Sequence, residues 1–274
     1  MRLGQTVPKL TTEKARAMGI KQRLSTFSTE FSPGNKPRVN NIRTLAKAID
    51  GSLIAPGGVW SLNRQVGERT AAKGYAEANA IVKGKLVPQL GGGICQVATT
   101  VFNAIFFSGE PVVERQNHSF YIAHYPKGRD ATVNWGGTDL KFRNDTPHWI
   151  LLKTATNADS VTVSLYGTSP GYVVTYETGE LKQTTAGYPT DTIYNAKLPV
   201  GVKAVKDPGL PGYRIVVTRT VKRNGSVVRK DAFLSNYSPK VQVLIVGTKP
   251  VAQPSGSTTK TPSSSGTATK TSGN

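Results

Sequence analysis

Gly91-Gly92-Gly93-Ile94-Cys95-Gln96-Val97-Ala98-Thr99-Thr100, continued by Val101-Phe102-Asn103-Ala104-Ile105-Phe106-Phe107, is a stretch whose burial the remaining sequence has to provide for. Three glycines close a loop, and the apolar run that follows is stopped by Ser108-Gly109-Glu110-Pro111. The spacing predicts a helix from about Ile94 to Phe107, ended by the Gly and Pro beyond it. Ile94, Val97, Ala98, Val101, Ala104 and Ile105 fall on one face, and Phe102 and Phe106 on another. A helix apolar on nearly every side is a buried one. Cys95, the one cysteine of the protein, then sits in the first turn of a central helix.

That position has chemistry attached. The unpaired N–H groups and the dipole of a helix start favour negative charge. A thiol there ionises more easily, and the thiolate is the nucleophile. The glycines let the backbone pass close to a bound group, and their N–H groups are candidate oxyanion donors. The alternative is a small buried hydrophobe, a common fate of free cysteine. Both readings stand until a base is found for the thiol.

At 274 residues the chain holds one large domain or two moderate ones, enough for a core without disulfides or metal. One cysteine excludes an intrachain disulfide and any zinc site built from several thiolates. No apolar run reaches the length of a spanning helix. The start, Met1-Arg2-Leu3-Gly4-Gln5-Thr6-Val7-Pro8, lacks the apolar centre of a signal peptide. The chain therefore either stays inside the cell or is a piece of a longer exported one. A net charge of +19 favours anionic partners. The basic residues are dispersed, with no interleaved aromatics for base stacking, so nucleic acid is not expected.

Outward from the central helix, Leu24–Phe31 alternates like a strand and Pro37–Asp50 reads as a helix with Ile42, Leu45, Ala46 and Ile49 on one stripe. Ala71–Ala80 reads as a short helix interrupted by Gly74. Beyond the central helix the pattern turns to strands at Pro111–Arg115, Ser119–Tyr125, Trp149–Lys153 and Val161–Leu165. Helices first and strands later argue for an α+β domain, its central helix packed on an antiparallel sheet. A new, all-β unit opens near Gly171, with strands at Ile215–Val221 and Val241–Val246 and a hairpin turn at Asn224-Gly225. The expected parts are an extension over 1–23, a domain over 24–170, a small extended β module over 171–250 and a disordered Ser/Thr/Gly/Pro-rich tail over 251–274.

Several motifs in order carry a resemblance. Phe27-Ser28-Thr29, Asn40-Asn41-Ile42, Pro56-Gly57, Ser61-Leu62-Asn63, Glu68-Arg69-Thr70, Gly74-Tyr75, the Gly91–Gln96 core, Glu114-Arg115, His118-Ser119, Gly128-Arg129-Asp130-Ala131 and Asp139-Leu140-Lys141-Phe142 resemble the VanW family over roughly Ser25 to Gly167. Ala98 departs from the pattern, standing where Ser is usual. The later unit resembles a G5 domain, with Gly201, Gly209, Gly212, Gly225 and Gly247 as its glycines and Tyr237-Ser238-Pro239-Lys240 as an anchor. The resemblance implies export, a place in the cell envelope of a Gram-positive organism and a link to glycopeptide resistance. It implies peptidoglycan or anionic wall polymers as partners, and membrane attachment only through an anchor that this chain lacks. A monomer is expected.

A thiol nucleophile needs a base and a group that orients the base. Of three histidines, His118 lies inside a family-like motif, and the order Cys, His, Asp resembles cysteine peptidases and amidases. The candidate catalytic residues are Cys95 as nucleophile, His118 as base and Asp130 as orienting carboxylate, with Gly91, Gly92, Gly93, Gln96 and Arg115 as oxyanion or substrate-binding residues. The alternatives are a strand-end role for His118 and a turn-forming role for Asp130 after Gly128. A zinc set of Cys95, His118, His124 and Asp130 is disfavoured, because His118 and His124 on one straight strand would stand about 20 Å apart. No cofactor is expected. Nothing in the spacing of Glu68, Glu77 and Glu114 singles out a sugar-cleaving pair. The expected function is thiol-dependent hydrolysis or transpeptidation of peptidoglycan peptide; the alternative is a non-catalytic wall adaptor.

Overall fold

The computed structural model describes residues 11–82 and 85–250. The first ten residues and the tail expected over 251–274 lie outside the described residues. In the first part of the chain the elements run α1 (Thr12–Ala17), β1 (Gln22–Glu30), α2 (Lys36–Ile49), β2 (Ser52–Ile54), β3 (Val59–Ser61), α3 (Leu62–Val66), β4 (Glu77–Val82), β5 (Lys85–Leu90), α4 (Ile94–Ser108), β6 (Val112–Glu114), β7 (Lys141–Arg143), β8 (Ile150–Thr156) and β9 (Ser160–Gly167). Strands β10 (Tyr172–Thr178), β11 (Lys182–Gln183), β12 (Thr190–Pro199), β13 (Lys203–Asp207), β14 (Tyr213–Arg223), β15 (Ser226–Tyr237) and β16 (Gln242–Lys249) follow. Among the described residues no helix is long and apolar enough to cross a membrane.

The expected central helix is α4. All of its residues except Cys95 and Phe107 are buried, as an all-round apolar helix requires. It lies against the antiparallel sheet β1-β9-β8-β2. Ser25 on β1 donates to Ala104 O at 2.7 Å, and Thr29 and Thr100 share a hydroxyl hydrogen bond of 2.7 Å. Within α4, Thr100 donates to Gln96 O and Asn103 to Thr99 O. Helix α2 turns Val39, Ile42, Leu45, Ala46 and Ile49 inward. It starts on Asn35, whose side chain accepts from Arg38 N at 3.2 Å.

Two local expectations change. Ala71–Ala80 is not a helix. A single 3-10 turn over Ala71–Lys73 ends at Gly74 (φ 85°), and residues 77–82 pair with 85–90 as a hairpin. Alanine propensity is a weak prior, and strand pairing overrides it. Ser119–Tyr125 is not a strand but a sequence of bends and a turn. Its apolar residues Phe120 and Tyr125 are buried without any strand pairing.

The Gly-rich loop is fixed by its neighbours. A Cβ at Gly92 would stand 2.2 Å from Ala78 O, so no side chain fits between this loop and β4. Asn41, fully buried on α2, donates to both Gly92 O (2.9 Å) and Ala76 O (2.8 Å) and accepts from Ala76 N (2.8 Å). Asn41→Leu strands three backbone groups at once. We expect it to cost about 2–4 kcal/mol in urea denaturation, since each buried unpaired group costs about 1–3 kcal/mol; a loss under about 1 kcal/mol would show that water replaces the amide.

The β module is mainly antiparallel, with β15 and β10 flanking β14 and with one parallel pair, β12 beside β16. The hairpin turn at Asn224 (φ 50°) and Gly225 (φ 80°) joins β14 to β15. The module is not separate from the first core. Val217 on β14 belongs to that core, and Phe233 on β15 packs edge-on to Phe102 of α4, ring centroids 5.5 Å apart. Arg219 on β14 is fully buried and reaches the end of α4, donating to Phe106 O (3.0 Å) and Ile105 O (3.3 Å) in its last turn and to Glu110 O (3.0 Å) just beyond it.

Candidate functional site

The site forms where the segment from Arg115 to Val133 crosses the start of α4. The helix itself holds the returning chain. Thr99 Oγ1 donates to Ala131 O (3.1 Å) and accepts from Ala131 N (3.0 Å), and Asn103 donates to Arg129 O (2.8 Å). An isolated bridge between Gln116 and Thr132 ties the outgoing strand to the returning one. Asp130 is thus carried beneath His118, and Thr132 and Val133 beside Cys95.

Cys95 occupies the second position of α4, after Gly93 in left-handed conformation (φ 105°). It keeps part of its surface exposed. Its Sγ lies 3.3 Å from Thr132 Oγ1 and donates to Val133 O at 3.6 Å. The His118 imidazole is the neighbouring group whose charge acts most strongly on the thiol. On the far side, His118 Nδ1 stands 2.6 Å from Asp130 Oδ2. A carboxylate only accepts, so Nδ1 carries the proton and Nε2 is the nitrogen left for the sulfur. The ring stacks on Tyr125, centroids 5.4 Å apart. His118 thus stands between Asp130, which it meets directly, and the electrostatic neighbourhood of Cys95.

The carboxylate of Asp130 accepts from four donors. Besides Nδ1 it accepts from His118 N (2.7 Å), Arg115 Nη2 (3.1 Å) and Tyr237 Oη (2.6 Å). Tyr237 comes from β15, so the β module supplies one of the four donors. Nearby, Arg115 donates to Ser235 Oγ (2.9 Å) and Asn117 to Asn236 O (2.7 Å), both on the same strand.

Electrostatics follow from this geometry. Burial pushes the Cys95 thiol up, but the hydrogen bond and charge of His118, with help from Thr132 and Val133, outweigh it and bring the pKa down to about 7. Burial pushes His118 down; Asp130 and Cys95 outweigh it and lift the imidazole to about 9. Burial likewise opposes ionisation of Asp130, yet the hydrogen bonds and charges of His118 and Arg115 hold it below the usual carboxylate range. Burial and the Asp130 charge push the Tyr237 phenol up, which keeps it a donor. Between about pH 7 and about pH 9 the pair exists as thiolate and imidazolium.

The other anticipated residues take different places. Gln96 is fully buried; its side chain accepts from Arg38 (2.6 Å) and donates to Thr29 Oγ1 (3.0 Å) and Glu30 O (2.7 Å). It fixes α4 rather than facing the thiol. Arg115 is used on Asp130, Gly128 O and Ser235. The amides of Gly91 and Gly92 already donate, to Ala76 O and Gln89 O, which leaves Gly93 as the loop amide without such a bond among the described residues. His124 Nε2 lies 2.7 Å from Glu30 O, and among the described residues no three His, Cys, Asp or Glu side chains gather as metal ligands. Glu114 pairs with Lys141 at 2.7 Å. Two shallow clefts, one along Leu53–Gln65 and one between Thr175 and Lys230, are not lined by the Cys95 line.

Sequence reasoning passed over Thr132, Tyr125 and Tyr237. Tyr237 lies inside an anchor motif of the β module, but nothing in the sequence links it to Asp130, 107 residues away.

Comparison with known proteins agrees with the two-part reading. Residues 37–166 match the family model described as VanW like protein, and residues 173–249 match that of the G5 domain. The chain carries a VanW-like domain followed by a G5 domain. It is 43% identical over 145 residues to the uncharacterized protein YoaR of Bacillus subtilis, covering 53% of this chain and 48% of that one. It is 33% identical over 116 residues to the vancomycin B-type resistance protein VanW of Enterococcus faecalis, covering 40% of this chain and 42% of that one. The chain thus spans less than half the length of either relative. An IgA1 protease G5 domain structure is similar over 28% of this chain and 93% of its own, at 23% identity and a TM-score of 0.19.

Proposed function

We propose, from the premise of a VanW-like domain followed by a G5 domain, that Cys95 is the nucleophile of an acyl-transfer enzyme acting on peptide in the cell envelope. The observation that carries this reading is the line from Cys95 through His118 to Asp130, with a thiol pKa near 7 and an imidazole pKa near 9. The thiolate attacks a carbonyl carbon, and the new C–S bond pushes the π pair onto oxygen. The helix start at Gly93 and Cys95 favours that oxyanion. His118 Nε2 then gives its proton to the leaving nitrogen, the C–N bond breaks, and a thioester remains. Neutral His118 takes a proton from water or an incoming amine, which attacks the thioester and releases Cys95. Asp130 orients the imidazole and stabilises its charge; Arg115 and Tyr237 are positioning residues for Asp130.

The cationic chain, +19 overall, supports contact with anionic wall polymers, and the G5 domain supports the same location. We place the protein at the envelope, outside the cell, as a monomer. The test is the rate of iodoacetamide alkylation against pH. A half-point near 7 that rises toward the ordinary thiol value in His118→Ala fits the enzyme. Loss of muropeptide turnover in Cys95→Ala completes it. A half-point at the ordinary thiol value in the wild type leaves the wall adaptor as the better reading.

A further inference from the structure

Buried polar groups are almost always partnered, so an unpartnered one asks for a reason. Arg69 is 7% exposed, and among the described residues neither Nε nor Nη2 has a hydrogen-bond partner; the Tyr75 hydroxyl, also buried, has none there either. Nη1 is held by Gly67 O at 3.1 Å. The two unpaired nitrogens are the ones whose N–H bonds point the same way along one edge of the guanidinium, the edge that meets a carboxylate with two parallel hydrogen bonds.

The place of this edge gives it meaning. A Cβ at Gly91 would stand 3.5 Å from Arg69 Cβ and 3.7 Å from its Cγ, so the arginine stem lies on the loop that delivers Cys95. Burial pulls the Arg69 pKa down, and the charges that oppose it are those of Tyr75, Cys95 and Asp139. Asp139 does not answer for the free edge: its oxygens are taken by Ser61 Oγ, Asn63 N and Leu140 N. Arg129 makes the contrast. It too has unpaired nitrogens, but its guanidinium lies over the rings of Phe106, Phe107 and Tyr176, which accounts for them. No ring contact is recorded for Arg69 among the described residues.

We infer that Arg69, with Tyr75, is a carboxylate-binding pair, and that the substrate carries a free carboxylate within about one residue of the carbonyl that Cys95 attacks. A peptide C-terminus has that chemistry. This inference rests on Cys95 being the nucleophile. It makes the enzyme selective for chain ends over internal bonds, because an amidated end would leave a buried guanidinium unpaired.

The test needs no knowledge of the natural substrate. Iodoacetate and iodoacetamide place the same leaving group beside a carboxylate or a neutral amide. The full chain is alkylated with each at about pH 8 and about 0.15 M salt, where long-range surface charge is screened. The readout is the ratio of the two rates, relative to that for free cysteine. We expect the wild-type ratio to exceed that of free cysteine by about ten-fold, Arg69→Gln to remove the excess, and Arg69→Lys and Tyr75→Phe to retain part of it. Should Arg69→Gln fail to fold, the wild-type ratio and Tyr75→Phe still decide. Fast iodoacetamide reaction with no carboxylate preference overturns this inference alone. A thiol slow toward both reagents overturns the nucleophile and this inference with it.

Discussion

Arg219→Met is expected to lower the unfolding free energy by about 3–5 kcal/mol, because it removes a fully buried guanidinium from three carbonyls and a partly buried carboxylate at once. The size follows from what this one side chain satisfies. Nε and Nη2 bind the Asp231 carboxylate at 2.8 and 2.7 Å, and Nη1 and Nη2 reach three carbonyls at the end of α4. Ile105 O and Phe106 O belong to the last turn of α4, where Ser108 Oγ also donates to Ile105 O, and Glu110 O lies just past it; the cation meets the negative end of the helix dipole. Arg219 further lies over Phe106 and Phe233, 5.4 Å from each ring centroid. Arg219→Lys keeps the charge but not the fork, and its loss should be intermediate. Urea denaturation followed by circular dichroism reads both effects. The same experiment tests whether the parts unfold as one. With Val217 and Phe233 inside the first core, a single transition is expected for wild type and variants. A loss below about 1 kcal/mol, or two separated transitions, would mean that the β module merely leans on the domain.

Charge linkage near the same end adds a signed expectation. Glu110 is fully buried, with Oε2 accepting from Asp145 N and Oε1 unpartnered. Burial first, and then the Asp145 charge, lift its carboxyl to about 8. An acid with a raised native pKa binds more protons folded than unfolded. Stability therefore falls as pH rises from the ordinary carboxylate range to about 8 and gains nothing beyond. Glu110→Gln removes that slope, so the variant should gain on the wild type in melting temperature between about pH 5 and about pH 8. Parallel melting curves across that range would refute the shift.

How much of this was legible in the sequence depends on how local each cause is. Helix α4 was legible because an apolar residue on every side leaves no polar face, and α2 because one stripe recurs at helical spacing. The β14–β15 hairpin was legible from Asn224-Gly225, two residues able to adopt positive φ. The β4–β5 hairpin was not, because its pairing with Leu90 and Gln89 lies outside the alanine-rich window that reads as helix. Cys95, His118 and Asp130 were found through motifs. Their meeting depends on Thr99 and Asn103 gripping residues 129 and 131 from α4, which no spacing rule announces. The contact between the two parts was not legible either: alternation marks β14 as a strand, but nothing in it announces that Ile215, Val217 and Arg219 face the first domain.

With Cys95 as nucleophile, Asp130→Asn is expected to cost about 10²- to 10⁴-fold in turnover, as for other orienting carboxylates. The carboxylate acts by charge and by position. Its charge helps keep His118 protonated up to about pH 9; with that charge gone, the imidazolium is less stable and the thiolate loses its partner. The half-point for alkylation of Cys95 should then climb from about 7 toward the ordinary thiol value. Position is tested separately. Tyr237→Phe removes one donor from Asp130 Oδ1 and leaves His118 and Arg115 in place. The charge stays, so the half-point should remain near 7, while turnover falls about three- to ten-fold as the carboxylate loosens. A shifted half-point in Tyr237→Phe would show that the hydroxyl tunes charge rather than geometry. Unchanged turnover would show that the G5 domain meets the site without helping it. A fall in turnover at constant pH profile is the outcome that a positioning strand predicts, and it would make the second domain part of the catalytic frame rather than only a tether to the wall.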